Sequence, residues 1–282
     1  MDVKTLNNLD IKIVYETFKK AFSDYEIKKE LSFEEFYEML KTRSFNPFYS
    51  IGYFDNDKLV SFINMGYREE ANKKLFYNIS TGVIPKYRRK GLSDSLIKIL
   101  INNLKEKNLD YFSLEVLENN KPAIELYKKN NFKISRVLKS FKIEKKLLKE
   151  TKINFEYKKT PEIYLSIKNY MDYMTFKPSW QNDRSSIINN MENYNFIFLY
   201  DNNNLFAYGI IHKIYGGILQ IGVLEEYKNK GIELELIFLL KECTESNTIN
   251  FINIEKDDYL TYKLNEIGFV NYINQYEMLL EL

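Results

Sequence analysis

One block of sequence occurs twice in this chain, and this repetition constrains the fold more than any other feature. Residues 77–93 read YNISTGVIPKYRRKGLS, and residues 217–233 read GILQIGVLEEYKNKGIE. Four of the ten glycines in the chain occupy matching positions in these two copies. Five positions are identical at a constant separation of 140 residues: Gly82/Gly222, Val83/Val223, Tyr87/Tyr227, Lys90/Lys230 and Gly91/Gly231.

Two shorter blocks repeat in the same order on either side of the first. Residues 53–62 (YFDNDKLVSF) parallel residues 199–208 (LYDNNNLFAY), each with an Asx-rich turn between apolar runs, which is typical of a β-hairpin. Residues 127–132 parallel residues 264–269 at a similar separation. The conserved order of three blocks predicts a duplicated domain, and 282 residues are enough for two.

Each half has the periodicity of a helix, a hairpin, a strand, a helix, a strand, a helix and a strand. Residues 91–107, for example, carry leucines at helical spacing, whereas residues 111–117 (YFSLEVL) are typical of a strand. The charged stretch 145–160 marks the boundary, so the predicted domains are 1–147 and 148–282. The predicted fold class is α/β (α+β), with a mixed sheet and flanking helices in each domain.

The composition excludes several classes of site. A single His and a single Cys leave no material for a disulfide framework, a Cys-rich zinc site or a His-rich metal centre, so no metal is expected. The net charge of +2 does not favour nucleic-acid binding, and the sequence has no apolar segment long enough to span a membrane. We therefore expect a cytoplasmic protein with neither nucleic acid nor membrane as partner.

The segment 80–100 (STGVIPKYRRKGLSDSLIKIL) predicts a strand, a tight turn and an amphipathic helix. Three basic residues precede Gly91, where the helix begins. The first N–H groups of a helix lack intrahelical partners, and a glycine allows close approach of an anion. The pattern predicts a pyrophosphate site. The alternative is a turn whose glycine serves backbone geometry alone and whose charges are solvated.

This segment resembles the fingerprint of the GNAT superfamily of acyl-CoA-dependent N-acyltransferases. Val83-Ile84-Pro85 matches the family's Val-x-Pro stretch, and Arg88-Arg89-Lys90-Gly91-Leu92-Ser93 matches [RQ]-x-x-G-x-[GA], with Ser in the last small position. The second signature of the family, N-x-x-A-x-x-L-Y-x-x-x-G-F, has its counterpart in residues 120–132. Asn131 replaces the usual Gly there, and Asn is also favoured at a left-handed helix end.

The resemblance implies a fold of two tandem GNAT-like domains and acetyl-CoA as co-substrate. Backbone amides of the turn would hold the CoA pyrophosphate, and the end of the preceding strand would bind the pantetheine arm. Tyr127 stands where the family's general acid stands, although a tyrosine is more often a core aromatic. The residues implied to contact acetyl-CoA are Val83, Ile84, Arg88, Arg89, Lys90, Gly91, Leu92, Ser93 and Asn120; Asn120 alternatively serves as a helix N-cap alone.

The general base is less clearly marked than the acid. A primary amine is mostly protonated at neutral pH, so some group must accept a proton. Glu115, on the strand before Asn120, is a candidate base that would act through water; the alternative is a solvated carboxylate. Asp24 and Tyr25, in the first helical region, are candidates for lining the amine site.

The second half keeps the pattern of the first but loses its chemical groups. Glu233 stands in place of Ser93, where a carboxylate would repel a pyrophosphate, and Leu264 stands in place of Tyr127. We therefore expect residues 1–147 to be catalytic and residues 148–282 to be structural or to complete the acceptor site. The expected activity is acetyl transfer to a primary amine of a small molecule or peptide, by a monomer or homodimer. The alternatives are a non-catalytic acyl-CoA-binding regulator and a transferase of larger acyl groups.

Overall fold

The computed structural model of the chain describes residues 1–24, 31–107, 110–152 and 154–281. The chain divides into two units: Met1–Ser135 together with Tyr276–Leu282, and Arg136–Gln275. No helix among the described residues is both long and apolar enough to cross a membrane. The same residues contain no group of three or more His, Cys, Asp or Glu side chains that could hold a metal ion.

The first unit has a sheet with helices on both faces. Its strands lie in the order β1-β2-β3-β4-β5-β12. The pairs from β1 to β4 are antiparallel, whereas β4 and β5 are parallel. The elements are β1 (Asp2–Thr5), α1 (Ile11–Phe22), α2 (Phe33–Thr42), β2 (Ile51–Asp55), β3 (Lys58–Glu70), β4 (Lys73–Val83), α3 (Leu92–Lys105), β5 (Tyr111–Leu117), α4 (Lys121–Lys129) and the end of β12 (Val270–Glu281).

Local sequence explains these elements. Ser32 and Glu35 form a reciprocal capping box that starts α2, and Asp10 caps α1. The turn between β2 and β3 uses Asn56 and Asp57 with φ of 47° and 60°, as two-residue hairpins require. The leucines predicted at helical spacing in α3 are all buried, which confirms that stripe: Leu92, Leu96, Leu100 and Leu104.

The second unit repeats this arrangement with shorter helices at its start. Its strands lie in the order β6-β11-β10-β9-β8-β7, with β10 and β11 parallel and the other pairs antiparallel. The predicted mixed, largely antiparallel sheet in each domain is thus confirmed. The elements are β6 (Lys133–Glu144), β7 (Glu156–Lys158), α5 (Glu162–Ser166), α6 (Arg184–Ile188), β8 (Tyr194–Asp201), β9 (Asn204–His212), β10 (Gly217–Val223), α7 (Ile232–Lys241), β11 (Thr248–Glu255) and α8 (Tyr259–Glu266).

Each unit takes a strand from the other half of the sequence. Met278 and Leu280, at the end of β12, are buried in the core of the first unit. Phe141 and Ile143 of β6 are buried in the core of the second unit. The sequence repeat places the division of the chain at 147/148, whereas the units divide at 135/136 and exchange their last strands. The roles assigned to the two parts stay predictions.

Candidate active site

An opening lies between β4 and β5 of the first unit. The two strands pair only as far as Asn78 and Leu114, although β4 continues to Val83 and β5 to Leu117. The register of β4 against β3 shifts at the same place, leaving Ile79 as an extra residue. Such a bulge bends its strand, so the two strands separate at the point where the bulge occurs.

Beyond Asn78, the edge of β4 that faces this opening pairs with no strand. Ile84 N donates to Val60 O, so this pair belongs to the hydrogen-bonded set of the antiparallel ladder. By the alternation of that ladder, the N–H and C=O groups of Thr81 and Val83 point away from β3. The N–H groups of Thr81 and Val83 are therefore placed to bind a carbonyl or amide in the opening, whereas that of Ile84 is occupied.

The turn after β4 leads into α3 through left-handed backbone. Arg89 has φ of 59° and Gly91, the N-cap of α3, has φ of 73°. No side-chain hydrogen bond caps this helix start. A Cβ built on Gly91 would meet no atom within 4 Å, so the space in front of the helix is open. This geometry suits an anion at the start of α3.

Arg88 and Asp24 pair with each other. The Arg88 guanidinium donates to both carboxylate oxygens of Asp24 at 2.6 and 2.7 Å, to Ala21 O at 2.9 Å and to Val83 O at 3.3 Å. The hydrogen bond from Arg88 lowers the pKa of Asp24. The side chain of Arg88 thus ties the end of α1 to the end of β4, and its backbone N–H donates to Pro85 O at 3.2 Å. Tyr25 lies outside the described residues.

Tyr127 lies beside the opening on the face of the sheet that packs against α3 and α4. Its side chain is buried, and its ring meets Phe132 edge-on with centroids 5.7 Å apart. The Nδ2 group of Asn78 lies 3.3 Å from the Tyr127 hydroxyl. A core contact and a polar contact at the opening are thus combined in one side chain.

Glu115 lies on the opposite face of the same opening. Leu114 and Val116 belong to the core under α3 and α4, so the alternation of the strand turns Glu115 toward the α1 side. There its carboxylate accepts a hydrogen bond of 2.6 Å from the hydroxyl of Tyr77. Burial and the nearby Glu115 raise the pKa of Tyr77 well above its ordinary value. Local sequence does not indicate this role for Tyr77, because Tyr77 and Glu115 lie 38 residues apart.

Asn120 and Asp94 hold α4 in place. Asn120 caps α4 by accepting from Ala123 N at 3.3 Å, as the structural alternative for this residue predicts. Asp94, in the first turn of α3, accepts from Lys129 Nζ at 2.8 Å and from Asn130 Nδ2 at 2.9 Å at the end of α4. These bonds fix α4, and hence Tyr127, relative to the turn that precedes α3.

Replacing Asp94 by Asn is expected to lower the free energy of unfolding at pH 7 by about 1–2 kcal/mol, because charge-assisted hydrogen bonds to Lys129 and Lys98 are lost. Hydrogen bonds from Lys129, Asn130 and Lys98 lower the pKa of Asp94 in the folded protein. The contribution of Asp94 to the free energy of unfolding is therefore complete above the ordinary carboxyl pKa of about 3.9 and declines as the pH falls below it.

Urea denaturation at pH 7 and pH 3 measures this difference. Glu125→Gln is the matched control, since Glu125 lies on α4 and forms an exposed pair with Lys128, for which a change within about 0.5 kcal/mol is expected. An Asp94→Asn effect of equal size at both pH values would contradict the assignment.

In the second unit the corresponding opening is filled by the chain itself. Strands β10 and β11 pair only as far as Ile218 and Phe251. Asn182 lies between them, where its Nδ2 donates to Ile252 O at 2.6 Å and its carbonyl accepts from Gln220 Nε2 at 2.7 Å. The remaining cavity has a volume of about 20 Å³, room for about one water molecule.

The helix start of the second unit carries a carboxylate in its first turn. Glu233, in the first turn of α7, is buried and accepts a hydrogen bond from the hydroxyl of Tyr259. Lys228 is paired with Glu225, and Leu264, at the position of Tyr127, is fully buried. Glu233, at the position of Ser93, thus places a carboxylate in the first turn of α7, and the position that corresponds to Tyr127 is apolar.

Comparisons with known proteins agree with this geometry. Residues 11–132 match the model of the Acetyltransferase (GNAT) family. An N-alpha-acetyltransferase of Saccharolobus solfataricus is 41% identical over 64 residues, which are 22% of this chain and 38% of that protein.

Solved structures resemble the whole chain. A tandem GNAT protein from the clavulanic acid biosynthesis pathway has a TM-score of 0.71 at 12% identity, covering 99% of this chain and 98% of its own. A GCN5-related N-acetyltransferase from Sphaerobacter thermophilus has a TM-score of 0.69 at 12% identity, covering 99% and 95%. Residues 11–132 thus match a family whose members transfer an acyl group from acyl-CoA to an amine, and the chain as a whole has the tandem GNAT fold.

Proposed function

We propose that this protein transfers an acetyl group from acetyl-CoA to a primary amine of a small molecule or peptide by direct attack. The observation that carries the proposal is the opening between β4 and β5, which has a carboxylate on one face of the sheet and a phenol on the other. An acid and a base on opposite sides of one opening suit a reaction in which the amine enters from one face and the thiol leaves on the other.

Acetyl-CoA, the acyl donor, is bound at both ends of the opening. The first N–H groups of α3 and the backbone N–H groups of residues 89–91 receive the pyrophosphate of CoA. The N–H groups of Thr81 and Val83 hold the pantetheine arm and polarise the thioester carbonyl. Held in this way, the thioester reacts with a bound amine at an effective molarity that reaches about 10⁵–10⁸ M in favourable cases.

The acid and base then divide the proton transfers. Glu115, supported by Tyr77, accepts the proton of the ammonium through a water molecule. The amine nitrogen attacks the carbonyl carbon, the C–N bond forms, the C–S bond breaks, and the nitrogen loses its second proton to water. Tyr127 donates its proton to the leaving thiolate and regains one from solvent. No covalent enzyme intermediate is needed.

The second unit has a supporting role in this proposal. Its opening is crossed by Asn182, and Glu233 lies at its helix start, so neither end offers a place for CoA. We assign acetyl-CoA binding to the first unit alone.

A screen of acetyl-CoA consumption tests the function. Polyamines, amino acids, aminoglycosides and peptides with free N-termini serve as acceptors, and CoA release is followed by thiol detection. Amine-dependent release is the expected result. Acetyl-CoA binding without transfer to any amine would instead identify a regulator, and release only from longer acyl-CoA donors would identify a transferase of larger groups.

Replacing Glu115 by Gln is expected to lower kcat/KM by about 10²-fold and to remove the rise of kcat/KM with pH on the acid side, because the deprotonated base is the active form. Initial rates between pH 5 and pH 9 measure both effects. Glu118→Gln is the matched control, since Glu118 is an exposed carboxylate just beyond the same strand, bonded to Tyr276. If kcat/KM of Glu115→Gln still rose with pH on the acid side as in the parent, Glu115 would not be the base.

A further inference from the structure

Asn78 is a buried polar residue at the point where β4 and β5 separate, outside both family fingerprints. Its Nδ2 lies 2.8 Å from Thr81 Oγ1 and 3.3 Å from the Tyr127 hydroxyl, and its Oδ1 accepts from Thr81 Oγ1 at 3.2 Å. The side chain is 5% exposed. An amide nitrogen has two N–H donors and no lone pair with which to accept. The Thr81 and Tyr127 oxygens therefore both accept hydrogen bonds from Asn78 Nδ2.

We propose that Asn78 is a positioning residue that directs the Tyr127 proton toward the leaving thiolate; this rests on the acid role proposed for Tyr127. Because Asn78 Nδ2 donates to the phenol oxygen, the phenol O–H of Tyr127 does not donate to Asn78 Nδ2. An acceptor at the same place would take that hydrogen and hold it away from the sulfur. When the O–H bond of Tyr127 breaks and the S–H bond forms, the Asn78 N–H stabilises the tyrosinate left behind.

The second unit independently supports a link between Asn78 and Tyr127. Asn78 is the last residue of β4 that pairs with β5, and Ile218 is the last residue of β10 that pairs with β11. The position of Tyr127 is occupied by Leu264, and at the same separation of 140 residues the position of Thr81 is occupied by Ile221. The unit without the phenol thus also lacks the amide and the hydroxyl that hold it.

Asn78→Asp tests the proposal, because a carboxylate has nearly the same shape but only accepts. In this variant the Tyr127 proton is drawn to Asp, and we expect kcat to fall more than about tenfold while the KM for acetyl-CoA changes little. Asn78→Leu removes the donor without adding an acceptor, and serves if the carboxylate prevents folding. For this variant we expect a smaller loss of kcat and an alkaline limb of the pH profile displaced upward.

Two further measurements separate positioning from a structural effect. The first is the same substitution in a Tyr127→Phe background, where we expect no additional loss of kcat. The second needs no acceptor. In protein labelled with ¹³Cζ-tyrosine, the Tyr127 resonance, identified by its absence in Tyr127→Phe, is expected to titrate at least about one pH unit higher in Asn78→Asp than in the parent.

The outcomes distinguish this proposal from the function beneath it. Unchanged turnover in Tyr127→Phe removes the acid role itself. Reduced turnover in Tyr127→Phe, with equal effects of Asn78→Asp in both backgrounds, overturns the positioning role alone. An unshifted ¹³Cζ titration in both Asn78 variants overturns it as well.

Discussion

Tyr127→Phe is expected to reduce kcat by about 10²–10⁴-fold while the affinity for acetyl-CoA stays nearly the same. The change removes one hydroxyl and keeps the ring that packs against Phe132 and Ile124. Asn78 retains its contact with Thr81. The fold is therefore preserved, and the loss reflects the missing proton donor for the thiolate. Steady-state rates measure kcat, and isothermal titration with acetyl-CoA measures affinity.

Tyr53→Phe is the matched control for this substitution. Its hydroxyl lies 2.7 Å from Ser95 Oγ, and its ring packs against the same core, away from the opening. Loss of that hydroxyl is expected to leave turnover unchanged. Equal turnover in Tyr127→Phe and the parent would remove Tyr127 from the mechanism.

Gly91→Val is expected to weaken acetyl-CoA binding by at least about tenfold, or roughly 1.4 kcal/mol. Gly91 has φ of 73°, a conformation that a β-branched residue adopts only under strain. The new side chain would project into the open space before α3, where the pyrophosphate is proposed to bind. Both effects act on the turn, so the affinity is expected to fall even in protein that remains folded.

The chain provides its own control for this experiment. Gly231 is also the N-cap of a helix, with φ of 84° and no atom within 4 Å of a built Cβ. Gly231→Val imposes the same strain on the second unit and is expected to lower stability without changing acetyl-CoA affinity. If Gly231→Val, or substitutions of Lys228 or Glu233, abolished binding while Gly91→Val did not, the cofactor site would belong to the second unit.

The turn and the proposed acid could be predicted from sequence because their signals are local. A strand, a glycine and an apolar stripe within residues 80–100 predict a helix start, and the helix start predicts an anion site. The resemblance of residues 120–132 to the second signature of the GNAT superfamily singles out Tyr127 among 23 tyrosines. Local sequence did not predict that the guanidinium of Arg88 pairs with Asp24, 64 residues away.

Local sequence also did not predict that the two units exchange their last strands. Both β6 and β12 follow a helix and carry alternating apolar residues, so their sequences suit either sheet. Which core each strand enters depends on packing over the whole unit, with Met278 and Leu280 in one core and Phe141 and Ile143 in the other. A repeat in the sequence therefore marks the duplication but not the composition of the folded units.

By itself the sequence indicated the duplicated fold, the resemblance to the GNAT superfamily and the half of the chain that retains the motif. The tertiary structure decided which side chains meet at the opening. Side chains alternate with a period of two along a strand, so Tyr77 and Thr81 would share a face in a regular β4. The extra residue Ile79 reverses that alternation, turning Tyr77 toward Glu115 on one face and Thr81, with Asn78, toward Tyr127 on the other. One extra residue thus brings Thr81 to the face of the proposed acid, Tyr127, and its effect appears only when the strand is paired.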